Sequence, residues 1–73
     1  LGQPAEAEAA LRGALDLEPE NLEYLYALAD HYVKRGEPAR ALPLAERMIT
    51  AHPDDPLGPE FKAFLEGSLQ EQE

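Results

Sequence analysis

The sequence predicts an all-α fold of four antiparallel helices. Three observations carry that prediction: proline and glycine markers recur at one fixed offset, apolar residues return at helical spacing between them, and capping residues stand where helices should start or stop. Gly2, Pro4, Ala5, Ala7 and Pro19 are matched by Gly36, Pro38, Ala39, Ala41 and Pro53, each pair 34 residues apart. A single offset shared by five pairs is hard to produce by chance, so the chain is built on an internal repeat. Glycine followed by proline opens a helix, because proline's fixed φ suits the first turn and its missing N–H is not needed there. A second proline about fifteen residues on closes it.

Pro4 to about Glu18 reads as the first helix. Ala7, Ala10, Leu11, Ala14 and Leu15 recur at helical spacing, while Glu6, Glu8, Arg12 and Asp16 fall largely elsewhere on the wheel. The second helix runs from Leu22 to Arg35, with Asn21 as N-cap and Gly36 as the stop that tolerates positive φ. Leu25, Leu28, Ala29 and Tyr32 stand at i, i+3, i+4 and i+7, which makes them its core face. The third helix spans Pro38 to about His52 and buries Ala41, Leu44, Ala45, Met48 and Ile49. Pro43 sits beyond its first turn and forfeits a backbone hydrogen bond. A kink is expected there, since an interior proline costs about 3 kcal/mol in a straight helix. After Pro53, the run Asp54, Asp55, Pro56, Gly58 and Pro59 signals a fourth start, with Asp54 and Asp55 as capping residues. Leu57, Phe61, Phe64, Leu65 and Leu69 then form one apolar stripe, opposite Glu60, Lys62, Glu66 and Gln70. The polar end, Gln70 to Glu73, is expected to fray.

Composition narrows the function classes. A chain of 73 residues forms one small domain, and such a domain buries only about 60% of the surface its unfolded form exposes. No cysteine is present to compensate with a disulfide or a thiolate-ligated metal, which also leaves the redox compartment and the localisation open. Six basic residues against fifteen acidic ones give a formal charge of -9, spread along the chain. That balance opposes nucleic acid and anionic lipid and favours a basic or neutral partner. No apolar run approaches the roughly 20 residues needed to span a bilayer. The start at Leu1, without a methionine, is read as a piece of something longer.

Catalytic and metal chemistry find no support in the spacing. His31 and His52 are 21 residues apart, and neither has a second imidazole or cysteine at ligand spacing. His52 belongs to the last turn of a helix, where the dipole favours a cation. Asp54 and Asp55 lack the alternating oxygen ligands and central glycine of a calcium loop. No nucleophile elbow, phosphate-binding loop or dinucleotide fingerprint occurs, and Ser68 and Thr50 have no candidate base beside them. The expectation is a non-enzyme without cofactor or metal.

Leu22 to Asp55 resembles a complete tetratricopeptide repeat, a helix-turn-helix unit of about 34 residues. The resemblance rests on Leu25, Leu28, Ala29 and Tyr32, then Gly36 at the turn, then Ala41, Ala45, Met48 and Pro53. Leu25 takes the place of the usual tryptophan-like residue, and Ala45 that of a large aromatic. Residues 1–21 resemble the second half of a preceding repeat, through Ala7, Leu11, Ala14 and Pro19. Residues 56–73 are expected to form a capping helix and a frayed tail, because Lys62 and Glu66 stand where Leu28 and Tyr32 stood. Docking this cap should bury Phe61 and Phe64, each contributing roughly 1.5–3 kcal/mol.

The resemblance implies a right-handed helix-turn-helix stack that binds a peptide or partner domain through a concave helix face. In this family that face of the first helix of a pair is the groove, and here it would comprise Glu23, Tyr26, Ala27, Asp30, Val33 and Lys34. Tyr26 is the informative member, since it offers apolar area and a hydroxyl at low entropic cost. The subgroup that grips C-terminal carboxylates uses lysine, arginine and asparagine where Tyr26, Ala27 and Asp30 stand, so that activity is not expected. The alternative is a structural spacer or oligomerisation module of a larger protein, mostly monomeric with a weak homodimer through the uncovered first helix.

Overall fold

The computed structural model describes residues 4–71. The marker Gly2 and the terminal Gln72 and Glu73 lie outside them. Four helices follow in order: α1 (Pro4–Leu17), α2 (Leu22–Lys34), α3 (Pro38–Ala51) and α4 (Leu57–Glu71). The described residues contain no strand, and the helices form a stack of hairpins. Backbones approach closely only between consecutive helices. Side chains alone reach one helix further, and they do so on two different sides, α1 to α3 and α2 to α4. The Cα atoms occupy 30 × 29 × 16 Å. The short dimension is that of two helix layers, whose axes pack about 8–10 Å apart.

Local signals set the ends. The Asn21 side chain accepts the Tyr24 N–H at 3.1 Å and opens α2. At the other end Gly36 adopts φ 77°, which lets its own N–H reach the Val33 carbonyl at 3.0 Å and the Glu37 N–H reach the Tyr32 carbonyl at 2.8 Å. These two bonds are a Schellman closure, and a side chain at Gly36 would strain it. The Asp55 carboxylate accepts the Leu57 N–H at 2.8 Å and starts α4. The helix α3 stays continuous through Pro43. The bond lost to the proline is the one the Ala39 carbonyl would accept, and Ala39 is exposed near the helix start, where water can replace the donor.

Small residues set the helix spacing. Ala29, Ala41 and Ala45 are fully buried, so α2 and α3 meet closely around Leu25 and Met48, and Leu65 of α4 completes the core from the other side. Gly58 is a second close approach. A Cβ there would stand 2.9 Å from Ile49 Cγ1 and 3.0 Å from the Ile49 nitrogen, so α4 rests its first turn directly on the α3 backbone.

Three expectations change. Phe64 is 54% exposed rather than buried, because it sits about 60° around the helix from Phe61, on the side away from Gly58 and Leu65. Ile49 is half-buried, held at the edge of the core under Gly58. Ala7 and Ala10 of α1 are exposed, as expected of the uncovered side of the first helix, while Leu11 and Ala14 are half-buried. Gln70 and Glu71 are helical rather than frayed, as α4 continues to Glu71.

Candidate functional site

Two surfaces have more structure than a solvated helix. The first is the α2/α4 side. Tyr26 projects from α2 with 38% of its surface exposed, and the edge of its ring meets Phe61 of α4 at 5.2 Å between centroids, 64° between planes. Phe61 in turn stacks on Phe64 at 6.0 Å and 8°. An edge-on pair followed by a stacked pair makes a row of three rings, buried at its middle and open at both ends.

The other residues expected at this face surround Tyr26 in different states. Glu23, one turn earlier, is exposed and has no ion pair among the described residues. Asp30, one turn later, is half-buried and bonded to Lys34 Nζ at 2.9 Å. That hydrogen bond, reinforced by the Asp30 charge, pushes the Lys34 ammonium up from its ordinary value. Ala27 is half-buried, and Val33 packs its side chain against the core. Of the two acids beside Tyr26, one is thus already matched by a cation and one is free.

Sequence reasoning missed Phe61 and Phe64 as members of this surface, having placed both in the core. The available signal was their spacing of three residues beside Leu65. That spacing puts Phe61, Phe64 and Leu65 on one face about 100° wide, and which edge of the face is left open is set by how α4 is rotated against α3.

The second surface is a polar cluster around Glu8, whose side chain is only 17% exposed. Arg12 Nη2 lies 3.1 Å from its Oε2, Arg35 Nη1 3.3 Å from its Oε1, and Arg40 Nη2 3.7 Å from its Oε2. The Tyr32 hydroxyl donates to Glu8 at 3.2 Å and accepts from Arg12 at 3.0 Å, and the Arg40 guanidinium lies over the Tyr32 ring at 4.4 Å. The hydrogen bond to Tyr32, with the Glu8 carboxylate nearby, pushes the Arg12 guanidinium up. One carboxylate of α1 therefore ties together residues of α1, α2 and α3, accepting hydrogen bonds from Tyr32 and Arg35 and forming ion pairs with Arg12 and Arg40. His31 Nε2 is buried 3.9 Å from Glu8 Oε1 without a hydrogen bond. The Glu8–Arg12 spacing of four residues was visible in the sequence; the arrival of Arg35 and Arg40 was not.

The α1–α2 loop is fastened separately. Arg47 donates to the Pro19 carbonyl at 2.9 Å, and His52 Nε2 meets the Glu20 carbonyl, which requires that this nitrogen carry the proton. His52 thus acts as a clip between the end of α3 and the loop. Among the described residues no group of three or more acidic or imidazole side chains is arranged to hold a metal ion. No helix among them is long and apolar enough to cross a membrane.

Comparison with known proteins gives one match. The profile of a family described as tetratricopeptide repeat matches residues 1–65. No curated protein and no solved structure matches this chain.

Proposed function

This chain belongs to the tetratricopeptide repeat family, and from that premise we propose that it holds another polypeptide through its α2/α4 face. Repeats of this family mediate protein–protein interaction and assembly and are typically non-catalytic. Glu23, Tyr26, Ala27, Asp30, Val33 and Lys34 are the proposed contacts, with Phe61 and Phe64 beside them. In this reading residues 1–21 are the second half of a repeat, 22–55 a complete repeat and 56–73 a cap.

The observation that carries the reading is the open aromatic row. Rigid aromatic side chains supply large contact area at little cost in rotamer freedom, and residues of this kind dominate binding energy at interfaces. Because Lys34 offsets Asp30, the proposed ligand is anchored by an apolar side chain on Tyr26 and Phe64, with Glu23 favouring a basic or neutral sequence. The test is a titration of capped peptides, one of lysines with a central leucine and one of glutamates with the same leucine, into wild type, Tyr26→Ala and Phe64→Ala. The lysine peptide should shift the amide resonances of Glu23, Tyr26 and Asp30 and bind less well as salt rises. Equal binding by Tyr26→Ala, or shifts confined to α1, would sink the assignment.

A specific observation also favours the spacer reading. Ala5, Ala7, Ala9 and Ala10 are exposed on α1, and Leu17 is 85% exposed. Small side chains allow a second helix to approach, yet they add little apolar area, and a chain of charge -9 repels its copy. The expected state is a monomer at micromolar concentration with a dimer near millimolar concentration or at high salt. A tight, salt-insensitive dimer in sedimentation equilibrium would put assembly ahead of peptide binding.

A further inference from the structure

We propose that the groove between α1 and α3 docks an acidic peptide segment bearing one large apolar side chain. The groove encloses about 580 Å³ and is rimmed by Arg12, Arg40 and Arg47. Its floor is formed by Leu15, Leu28 and Leu44, with the Tyr32 ring beside them. Leu28 and Tyr32 sit two and six residues after Tyr26, which turns them about 160° and 120° away from it on α2. This site is therefore separate from the aromatic row and independent of the reading given above for it.

Charge is the argument for the occupant. The chain carries fifteen acidic residues and only four arginines, yet three of those arginines line this groove and Asp16 is the sole acid lining it. Arg12 and Arg40 share the Glu8 carboxylate and Arg40 also donates to Glu37 at 3.5 Å, but each guanidinium has five N–H donors and uses only some of them there. Arg47 has no carboxylate within 4.0 Å among the described residues, and its one side-chain hydrogen bond goes to the Pro19 carbonyl. Arg40 and Arg47 are two helical turns apart, about 10.5 Å along α3. Carboxylates four residues apart on an extended segment lie on one face about 13 Å apart, within reach of two long arginine side chains, and the residue midway between them shares that face. An apolar side chain between them would enter the leucine floor and leave the arginines desolvated on one side, which strengthens their pairing.

The groove favours a short acidic segment over the other anions or chains that could seek it. A nucleic acid strand would bring many phosphates within the field of a chain of charge -9 and has no use for a leucine floor. A second copy would bring the same net charge.

The probe is a capped, fluorescent peptide of glutamates and aspartates with one central phenylalanine, compared with its lysine counterpart, with a version lacking the phenylalanine, and with a thymidine oligonucleotide. Wild type should bind the first peptide at low salt, and binding should move the methyl resonances of Leu15, Leu28 and Leu44. Arg47→Glu should weaken it about tenfold, because an attraction becomes a repulsion, while Arg47→Lys keeps most of it and Tyr26→Ala leaves it unchanged. Circular dichroism of Arg47→Glu checks its fold, and the wild-type methyl shifts decide the matter if that variant is unfolded. The proposal is overturned if those methyls stay still, if Arg47→Glu binds as wild type does, or if the lysine peptide or the phenylalanine-free peptide binds equally well. It is also overturned if the oligonucleotide binds more tightly, or if sedimentation shows that Arg47→Glu abolishes a dimer, which would assign the groove to a second copy.

Discussion

Replacing Gly58 with alanine tests the claim that α4 is held on α3 by backbone contact rather than by side chains alone. The new methyl would stand 2.9 Å from Ile49 Cγ1, 3.0 Å from its nitrogen and 3.3 Å from its Cα. Cγ1 is not the free end of the side chain, and the other two atoms are helix backbone, so the overlap is relieved only by moving α4 away from α3. Overpacking of this kind costs about 1–3 kcal/mol. The alanine also returns up to about 1 kcal/mol of helix propensity, less in a first turn. The net expectation for Gly58→Ala is a loss of about 1–2 kcal/mol, or roughly 4–15 °C in Tm for a domain of this length. Gly67 on the same helix is the control, since a Cβ there meets nothing within 4 Å, and Gly67→Ala should gain about 0.5–1 kcal/mol. Urea denaturation followed by circular dichroism measures both. Because Phe61 reaches Tyr26 only while α4 is seated, the Gly58→Ala change should also shift the Tyr26 ring resonances. A Gly58→Ala chain at least as stable as wild type would refute the reasoning.

Other perturbations have outcomes of definite sign. Glu8→Gln keeps the shape of the side chain but removes the charge on which Arg12, Arg35 and Arg40 converge; partial exposure of those arginines limits the loss to about 1–2 kcal/mol, read from the same denaturation curves. Hydrogen exchange should quicken in α1 ahead of α3, because the Glu8 cluster is the main polar tie of α1 to the rest. Phe61→Ala should cost about 3–5 kcal/mol and Phe64→Ala under about 1 kcal/mol, since the first ring is buried and the second is not. Equal losses from the two would contradict the placement of α4.

Helix number and order were legible in the amino-acid string because their causes are local. Asn21 caps its own helix, Gly36 alone tolerates the φ of 77° that closes α2, and Asp55 reaches only two residues ahead to start α4. The core followed from periodicity wherever a helix has neighbours on a broad face, as with Leu25, Leu28, Ala29 and Tyr32. Periodicity names a face but not its width, and there the structure decided. Whether Phe64 is inside or outside depends on how α4 is rotated against α3, and the close approach of Gly58 to Ile49 sets that rotation. The aromatic row exists because this rotation carries Phe61 to Tyr26 across a helix boundary. The arginines around Glu8 are likewise gathered from positions up to 32 residues away, as with Arg40, and no local rule sums charges over such distances. Sequence spacing thus determined which residues share a helix face, while the packing angle between helices determined which faces meet and what is left open to a partner.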